Sequence, residues 1–429
     1  MTRTAEPAPH AGAVPAHAAP VLAIDRDGAL LLGGHTAAVL AARHGTPLYV
    51  TDGAAVRDRV AAVRALLPAG VRLHYAIKAN PLPDLLRLMA PLVDGFDIAS
   101  AGELALALAA GHSGADLGFA GPGKRDPELA AAIAAGAVVN VESAGELGRL
   151  AALARVAGRP ARAALRVNPD FSVRRSGIHM GGGAQVFGID AEEVPALLAA
   201  WPPGVRFAGF HVYPGSQSLD GEQLADTLRR SHALCAELAA HAPAAPPDEA
   251  PGEATPRLFN LGGGFGIPYF AGETPLDTAP ISAALADIAR EHHARFPGTR
   301  LVLELGRYLV GEAGVFLTRV VDRKRSRGRE FLVCDGGMNQ HLAASGNLGQ
   351  VIRRDFPVWL ARDLRAHGDT AFTVCGPLCT PLDVLGREVM LPAAVGCGEI
   401  LAIGQSGAYG ASASPTGFLS HPPAAQLLV

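Results

Sequence analysis

No stretch of the 429 residues approaches the length and apolarity of a membrane-spanning helix. The first twenty, MTRTAEPAPHAGAVPAHAAP, lack the apolar core of a signal peptide and read as a disordered Ala/Pro-rich tail. Cysteine is scarce. The five (Cys235, Cys334, Cys375, Cys379 and Cys397) are odd in number and lack paired metal spacing, which argues against a disulfide framework or a metal site. Reduced thiols in a cytoplasmic protein are the expectation. An excess of one charge is also missing: a net −3 gives no case for nucleic acid or an anionic membrane as partner. No internal repeat of roughly 20–50 residues occurs. What is plentiful is apolar material, 49% of the chain, with 51 glycines. That is ample for a large core, and the length suits two domains.

From about residue 47, short apolar runs alternate with Ala/Leu-rich amphipathic stretches, the βαβα rhythm of a parallel sheet. The spacing predicts strands near 72–77, 95–98, 117–120, 137–141, 163–167, 207–212, 258–261 and 301–304. Helices are predicted over Pro83–Met89, Ala101–Ala110 and Pro127–Ala135, with an extra helix Gly53–Leu66 ahead of the first strand. Eight such strands match a (β/α)8 TIM barrel over residues 47–310. The Pro/Ala/acid-rich segment 243–256 reads as a surface loop inserted before a barrel strand. After residue 311 the helical rhythm fades. The runs Val315–Val321, Glu330–Cys334, Ala371–Val374, Val384–Leu391 and Glu399–Ile403 predict a C-terminal all-β domain, 311–429. Residues 21–46, with an Asp-Gly turn inside Ala23–Leu32, are expected to join it.

Barrel active sites gather where strands end, and the unusual residues fall there repeatedly. Lys78 ends the run HYAIK. A lysine desolvated at a strand end loses its proton readily and becomes a nucleophile toward an aldehyde. Asp97 ends the second strand, Arg166 and Asn168 the fifth, and His211 the sixth, opening HVYPGSQ. The turn NLGGGFG follows the seventh strand, in the usual phosphate position of a barrel, although a glycine run is also an ordinary tight turn. Glu304 and Arg307 follow the eighth; an ion pair between them and a carboxylate facing a cofactor's ring nitrogen are both open readings. His211 is read either as a satisfied strand-end histidine or as a ring lying on another aromatic. In the β domain, Cys379 sits in the turn-rich CGPLCTPLD, and Tyr409 in a second glycine loop, QSGAYG.

The ordered series YAIKAN, GFDIASAGEL, HVYPGSQ, FNLGGGFG, LELGRYLVGEAG, VCDGG, CGPLCTPLD and SGAYG resembles the fold-type III decarboxylases, the group of ornithine, arginine and diaminopimelate decarboxylases. The resemblance runs from about residue 45 onward. It implies an alanine racemase-like barrel, pyridoxal 5'-phosphate as cofactor, and a homodimer with shared active sites. Lys78 would bond to the cofactor aldehyde, Glu304 would pair with the ring nitrogen, and His211 would stack on the ring. Ser216, Gly263, Gly264 and Tyr409 would hold the phosphate, with Arg307 near it or near the substrate carboxylate. Cys379, entering from the partner subunit, would be the proton donor. Asp97, Glu103 and Arg166 match positions lining the pocket.

Three departures bear on the substrate. Thr380 follows Cys379, where the diamino-acid decarboxylases carry an acid that binds the distal amine. The arginine-rich motif expected after the Asp-Gly-Gly turn is replaced by MNQHLAASGN. The ending QSGAYGASASPTGFLSHP also differs from theirs. FAGPGKRDPEL and HLAASGNLGQVIRRDFP are similar to a side branch that includes exosortase-associated and carrier-protein-linked aminoacyl decarboxylases. The expectation is decarboxylation of an amino acid or a carrier-tethered aminoacyl conjugate in a specialised pathway. Diaminopimelate decarboxylase-like activity, a racemase and a non-catalytic pyridoxal-binding relative are the alternatives.

Overall fold

The computed structural model describes residues 22–171, 178–244, 257–348, 350, 353–366 and 368–429. The expected tail, and most of the 243–256 insertion, lie outside the described residues. The chain forms two compact units. One comprises Val56–Ile267 and Pro275–Val310; the other comprises the residues up to Ala55, Pro268–Thr274 and Gly311–Val429.

The first unit is a closed parallel barrel. Its strands are β1 (Val71–Ala76), β2 (Gly95–Ile98), β3 (Leu117–Phe119), β4 (Val138–Val141), β5 (Ala161–Asn168), β6 (Val205–Val212), β7 (Leu258–Gly263) and β8 (Arg300–Leu305). Each pairs with the next, and β8 closes on β1 with Leu303 opposite Leu73. All eight expected strands are present, within three residues of their predicted ends. Helices cover the outside, so the strands are buried almost continuously rather than alternately. The helix Gly53–Leu66, α1, precedes β1, and Pro83–Met89, α2, follows it.

The helices after β2 and β4, α3 (Ala101–Ala109) and α4 (Ala144–Ala157), begin with the same tetrapeptide, Ser-Ala-Gly-Glu. Each serine hydroxyl accepts from the glutamate's backbone N–H. Each glutamate reaches back to an N–H ahead of the cap, Glu103 to Ala99 at 2.6 Å and Glu146 to Glu142 at 2.7 Å. The device fixes the helix start directly above two strand ends. Between strands and helices lie Leu73, Tyr75, Phe96, Phe119, Leu165 and Phe210, all fully buried. Each fully buried side chain of this kind stabilises by roughly 1.5–3 kcal/mol.

The second unit is a mixed sheet of β9 (Gly314–Ser326), β10 (Arg329–Cys334), β11 (Val358–Leu360), β12 (Thr370–Cys375), β13 (Val384–Leu391) and β14 (Ile400–Ile403), in the order β11-β14-β9-β10-β12-β13. β9 also pairs with the strand Leu48–Thr51, which in turn takes β15 (Ala425–Leu428) as a parallel neighbour. Leu48–Thr51 differs from the sequence expectation. It falls within the 47–310 span expected to form the barrel, yet its hydrogen bonds go to β9. Ala23–Ile24, Leu30–Leu32 and His35–Thr36 form a small antiparallel sheet of their own. Leu22, Leu30, Leu32, Leu48, Val50, Val315, Leu317 and Leu364 share one apolar cluster in this unit. Asp383 knots the Cys379 loop: Oδ1 accepts from Met338 N at 2.6 Å and Oδ2 from Leu378 N at 2.9 Å.

Candidate active site

The C-terminal ends of the barrel strands surround a cleft of about 420 Å³, lined among others by Lys78, Asp97, Lys124, Arg166, His211, Tyr213 and Glu304. Five of the sequence-derived candidates thus meet in one place. Lys78 sits in a single 3-10 turn, Ile77–Ala79, immediately after β1, between two fully buried neighbours. Its Nζ stands 5.3 Å from the centroid of the Tyr213 ring.

Glu304 on β8 is 5% exposed, and its Oε2 lies 3.2 Å from His211 Nε2 on β6. Burial alone pushes its carboxyl up. The hydrogen bond to His211 and the charges of Lys78, His211 and Arg166 outweigh that, and hold it well below the usual carboxylate range. Asp97, on β2, goes the other way: burial raises it first, the Glu304 charge adds to this, and His74 at 3.3 Å only partly offsets both. The alternative pair for Glu304, Arg307, is therefore not what sets its charge. Arg166 is held by Glu142, Nη1 to Oε1 at 2.9 Å, and its guanidinium lies 4.8 Å over the Phe187 ring.

The glycine turn is shaped for contact. Gly262 and Gly264 have φ of +70° and +78°. A Cβ on Gly263 would stand 2.2 Å from Glu304 O, and one on Gly264 2.5 Å from Gly215 O. The turn therefore packs directly on β8 and on the loop carrying Ser216, and Gly264 O accepts from Ser218 N at 3.0 Å. Arg307 opens the short helix after β8. Cys379 and Tyr409 are carried by the β unit; Cys379 is exposed, and Tyr409 has φ +54°. Glu103, the α3 capping residue, is raised by burial against the pull of the Ala99 N–H and the Lys78 charge.

Sequence reasoning missed a buried ionic group in the cleft wall. Lys124 Nζ meets Glu146 Oε1 at 2.9 Å and also donates to Gly121 O and Asn140 O. Glu142, which grips Arg166, also accepts from Gly121 N and Gly188 N. The repeated Ser-Ala-Gly-Glu was the available signal. His341 and Ser406 of the β unit resemble a base–nucleophile pair, with Nε2 2.9 Å from Oγ. However, His341 Nδ1 accepts from Ala344 N, so Nε2 carries the proton and donates to Ser406. That direction makes the pair structural.

The donor set fits pyridoxal phosphate. A half-buried amine faces an aromatic ring, an ionised buried carboxylate suits a protonated ring nitrogen, and a glycine turn leaves no room for side chains. His211 Nδ1 and Asp97 Oδ1 are buried without hydrogen-bond partners among the described residues, as expected of groups placed to meet a polar molecule.

The description "pyridoxal-dependent decarboxylase, pyridoxal binding domain" matches residues 53–311. The chain is 36% identical over 396 residues to the L-glutamyl-[BtrI acyl-carrier protein] decarboxylase of Niallia circulans, covering 91% of this chain and 90% of that protein. It is 34% identical over 401 residues to the diaminopimelate decarboxylase of Deinococcus radiodurans, covering 92% and 93%. The solved diaminopimelate decarboxylase of M. jannaschii in co-complex with L-lysine superposes with a TM-score of 0.81 at 26% identity, covering 96% of this chain and 93% of that one. The chain belongs to the pyridoxal-dependent decarboxylases, and removes the carboxyl group of an amino acid with pyridoxal phosphate as cofactor.

Proposed function

We propose that the substrate is an aminoacyl group carried on a carrier-protein thiol rather than a free diamino acid. The observation that supports this is the environment of Cys379. Thr380 next to it is neutral, and its hydroxyl accepts from Leu382 N. The next carboxylate, Asp383, has both oxygens committed to backbone N–H groups of Met338 and Leu378. Among the described residues around Cys379, a distal ammonium would find no uncommitted carboxylate to pair with, whereas a neutral thioester needs none. The named activity of the Niallia relative points the same way.

In this reading Lys78 would hold the cofactor through its aldehyde. Glu304, held ionised, would keep a proton on the ring nitrogen, and His211 would stack on the ring. Ser216, Gly263, Gly264 and Tyr409 would hold the phosphate, with Arg307 near it or near the substrate carboxylate. When bound, the cofactor supplies the electron sink for the charge left at Cα as carbon dioxide departs. Asp97, Glu103 and Arg166 set the polarity of the cleft wall. Cys379 Sγ, delivered by a second copy of the chain, donates the proton to Cα. The enzyme works as a cytoplasmic homodimer; all five cysteines are free, in keeping with a reducing compartment. A monomeric mass in solution would overturn the dimer.

The test compares carbon dioxide release from a glutamyl-loaded acyl-carrier protein with release from free glutamate, diaminopimelate, lysine and ornithine. Turnover of the carrier-bound group well above the free amino acids is expected. Equal or better turnover of free diaminopimelate would sink the proposal.

A further inference from the structure

The β9–β10 hairpin concentrates charge. Residues 319–330 (RVVDRKRSRGRE) hold six cations and two anions, net +4, in a chain that totals −3, which leaves −7 for everything else. The hairpin is firmly built. Its pairing runs out to Ser326 opposite Arg329. The two-residue turn Arg327-Gly328, with φ of +49° and +84°, has the conformation that matches strand twist.

Three of the six cations are occupied. Arg319 Nη1 donates to Gly398 O at 2.9 Å. Arg323 Nη1 donates to Ala393 O and Val395 O at 2.6 and 2.8 Å, its Nη2 meets Glu330 Oε2 at 3.2 Å, and its guanidinium lies 5.1 Å over the Phe372 ring. Arg325 Nε stands 3.6 Å from Glu330 Oε1. Lys324, Arg327 and Arg329 are exposed and have no ion-pair partner among the described residues. The register sets Lys324, Ser326 and Arg329 on one face of the ribbon, with Arg327 at its tip.

We infer that this hairpin docks an acidic face of the carrier protein that brings the substrate, an inference resting on the carrier-bound reading above. Three uncommitted cations are too few for duplex nucleic acid, where about 6–10 phosphate contacts are usual, and the −7 elsewhere repels a long polyanion. Val321 is the only large hydrophobic residue exposed on the hairpin among the described residues, so a lipid surface finds little apolar anchorage. A compact acidic protein surface meets the ribbon without either difficulty. Rim charges of this kind act on association and its salt dependence, rather than on chemistry.

The experiment uses the cofactor-loaded enzyme and the triple variant Lys324→Glu/Arg327→Glu/Arg329→Glu, with the neutral Gln triple as a second variant. Substrates are a glutamyl-loaded acyl-carrier protein and the small thioester glutamyl-N-acetylcysteamine. The charge-reversed form should raise KM for the protein-bound substrate about tenfold at low salt, the Gln form by less, with kcat within about twofold and the small thioester turned over normally by both. Unchanged KM in both variants, with the wild type active on the carrier-bound substrate, overturns the docking surface alone. A wild type that handles free amino acids but not the carrier-bound group overturns the proposed substrate, and the docking surface with it. Hairpin-dependent binding of a 20-nucleotide single strand or of phosphatidylserine vesicles, with the carrier KM unmoved, also overturns it and assigns the patch to that polyanion.

Discussion

Two carboxylates inside one barrel have their acidities pushed in opposite directions. Glu304 is held ionised by His211, Lys78 and Arg166, and its charge in turn adds to the burial that raises Asp97. Such divergent pairs mark acid–base assignments. Replacing Glu304 by Gln should therefore do two things. Decarboxylation falls about 10²–10³-fold, the usual effect of losing one preorganised electrostatic partner. Asp97 also titrates at lower pH, because the repelling charge is gone; the carboxyl stretch in infrared spectra follows this in the cofactor-free protein. An Asp97 titration that stays put would break the link. Lys78, Glu304 and His211 were legible because polar residues at the ends of apolar strands stand out. Lys124, Glu142 and Glu146 were not. Each is an ordinary-looking charge on a helix start or turn, and only the tertiary fold buries them together.

The glycine turn after β7 shows what an element contributes beyond its side chains. Gly263→Ala would place a methyl 2.2 Å from Glu304 O, so either the turn or β8 must give way. The expected cost is about 1–3 kcal/mol in urea unfolding. Pyridoxal phosphate affinity should fall at least about tenfold, 1.4 kcal/mol in binding, because the turn and Glu304 move together. Unaltered affinity, read by absorbance titration, would separate the turn from the cofactor. The helices and barrel strands were readable from local pattern. The strand Leu48–Thr51 was not: its hydrophobic run announces a strand, but which sheet it enters depends on partners about 265 and 375 residues away. β11 and β15 are short runs beside prolines and polar residues, and carry too little periodicity to be seen alone.

For the whole molecule, acid stability follows from histidines kept neutral. Burial pushes His341 down to about 3; burial and the neighbouring His292 push His232 down to about 4. An unfolded histidine titrates near 6.5. Between those values the unfolded chain binds protons that the folded one refuses. The stabilisation from these two groups is complete above about pH 6.5 and is lost as pH falls toward 4, at about 1.4 kcal/mol per pH unit for each. Unfolding free energies measured from pH 7 to pH 5 should show this slope, and His232→Phe should remove about half of it. An unchanged slope would mean that His232 protonates in the folded state.

The unpartnered polar atoms of the barrel interior reach beyond the reaction. His211 Nδ1 and Asp97 Oδ1 are each costly to bury unmet, roughly 1–3 kcal/mol apiece. A ligand at a hundred times its Kd adds about 2.7 kcal/mol to the native state. Cofactor occupancy should thus decide how readily the chain opens to a protease, and limited trypsin digestion of cofactor-free and cofactor-loaded protein checks this.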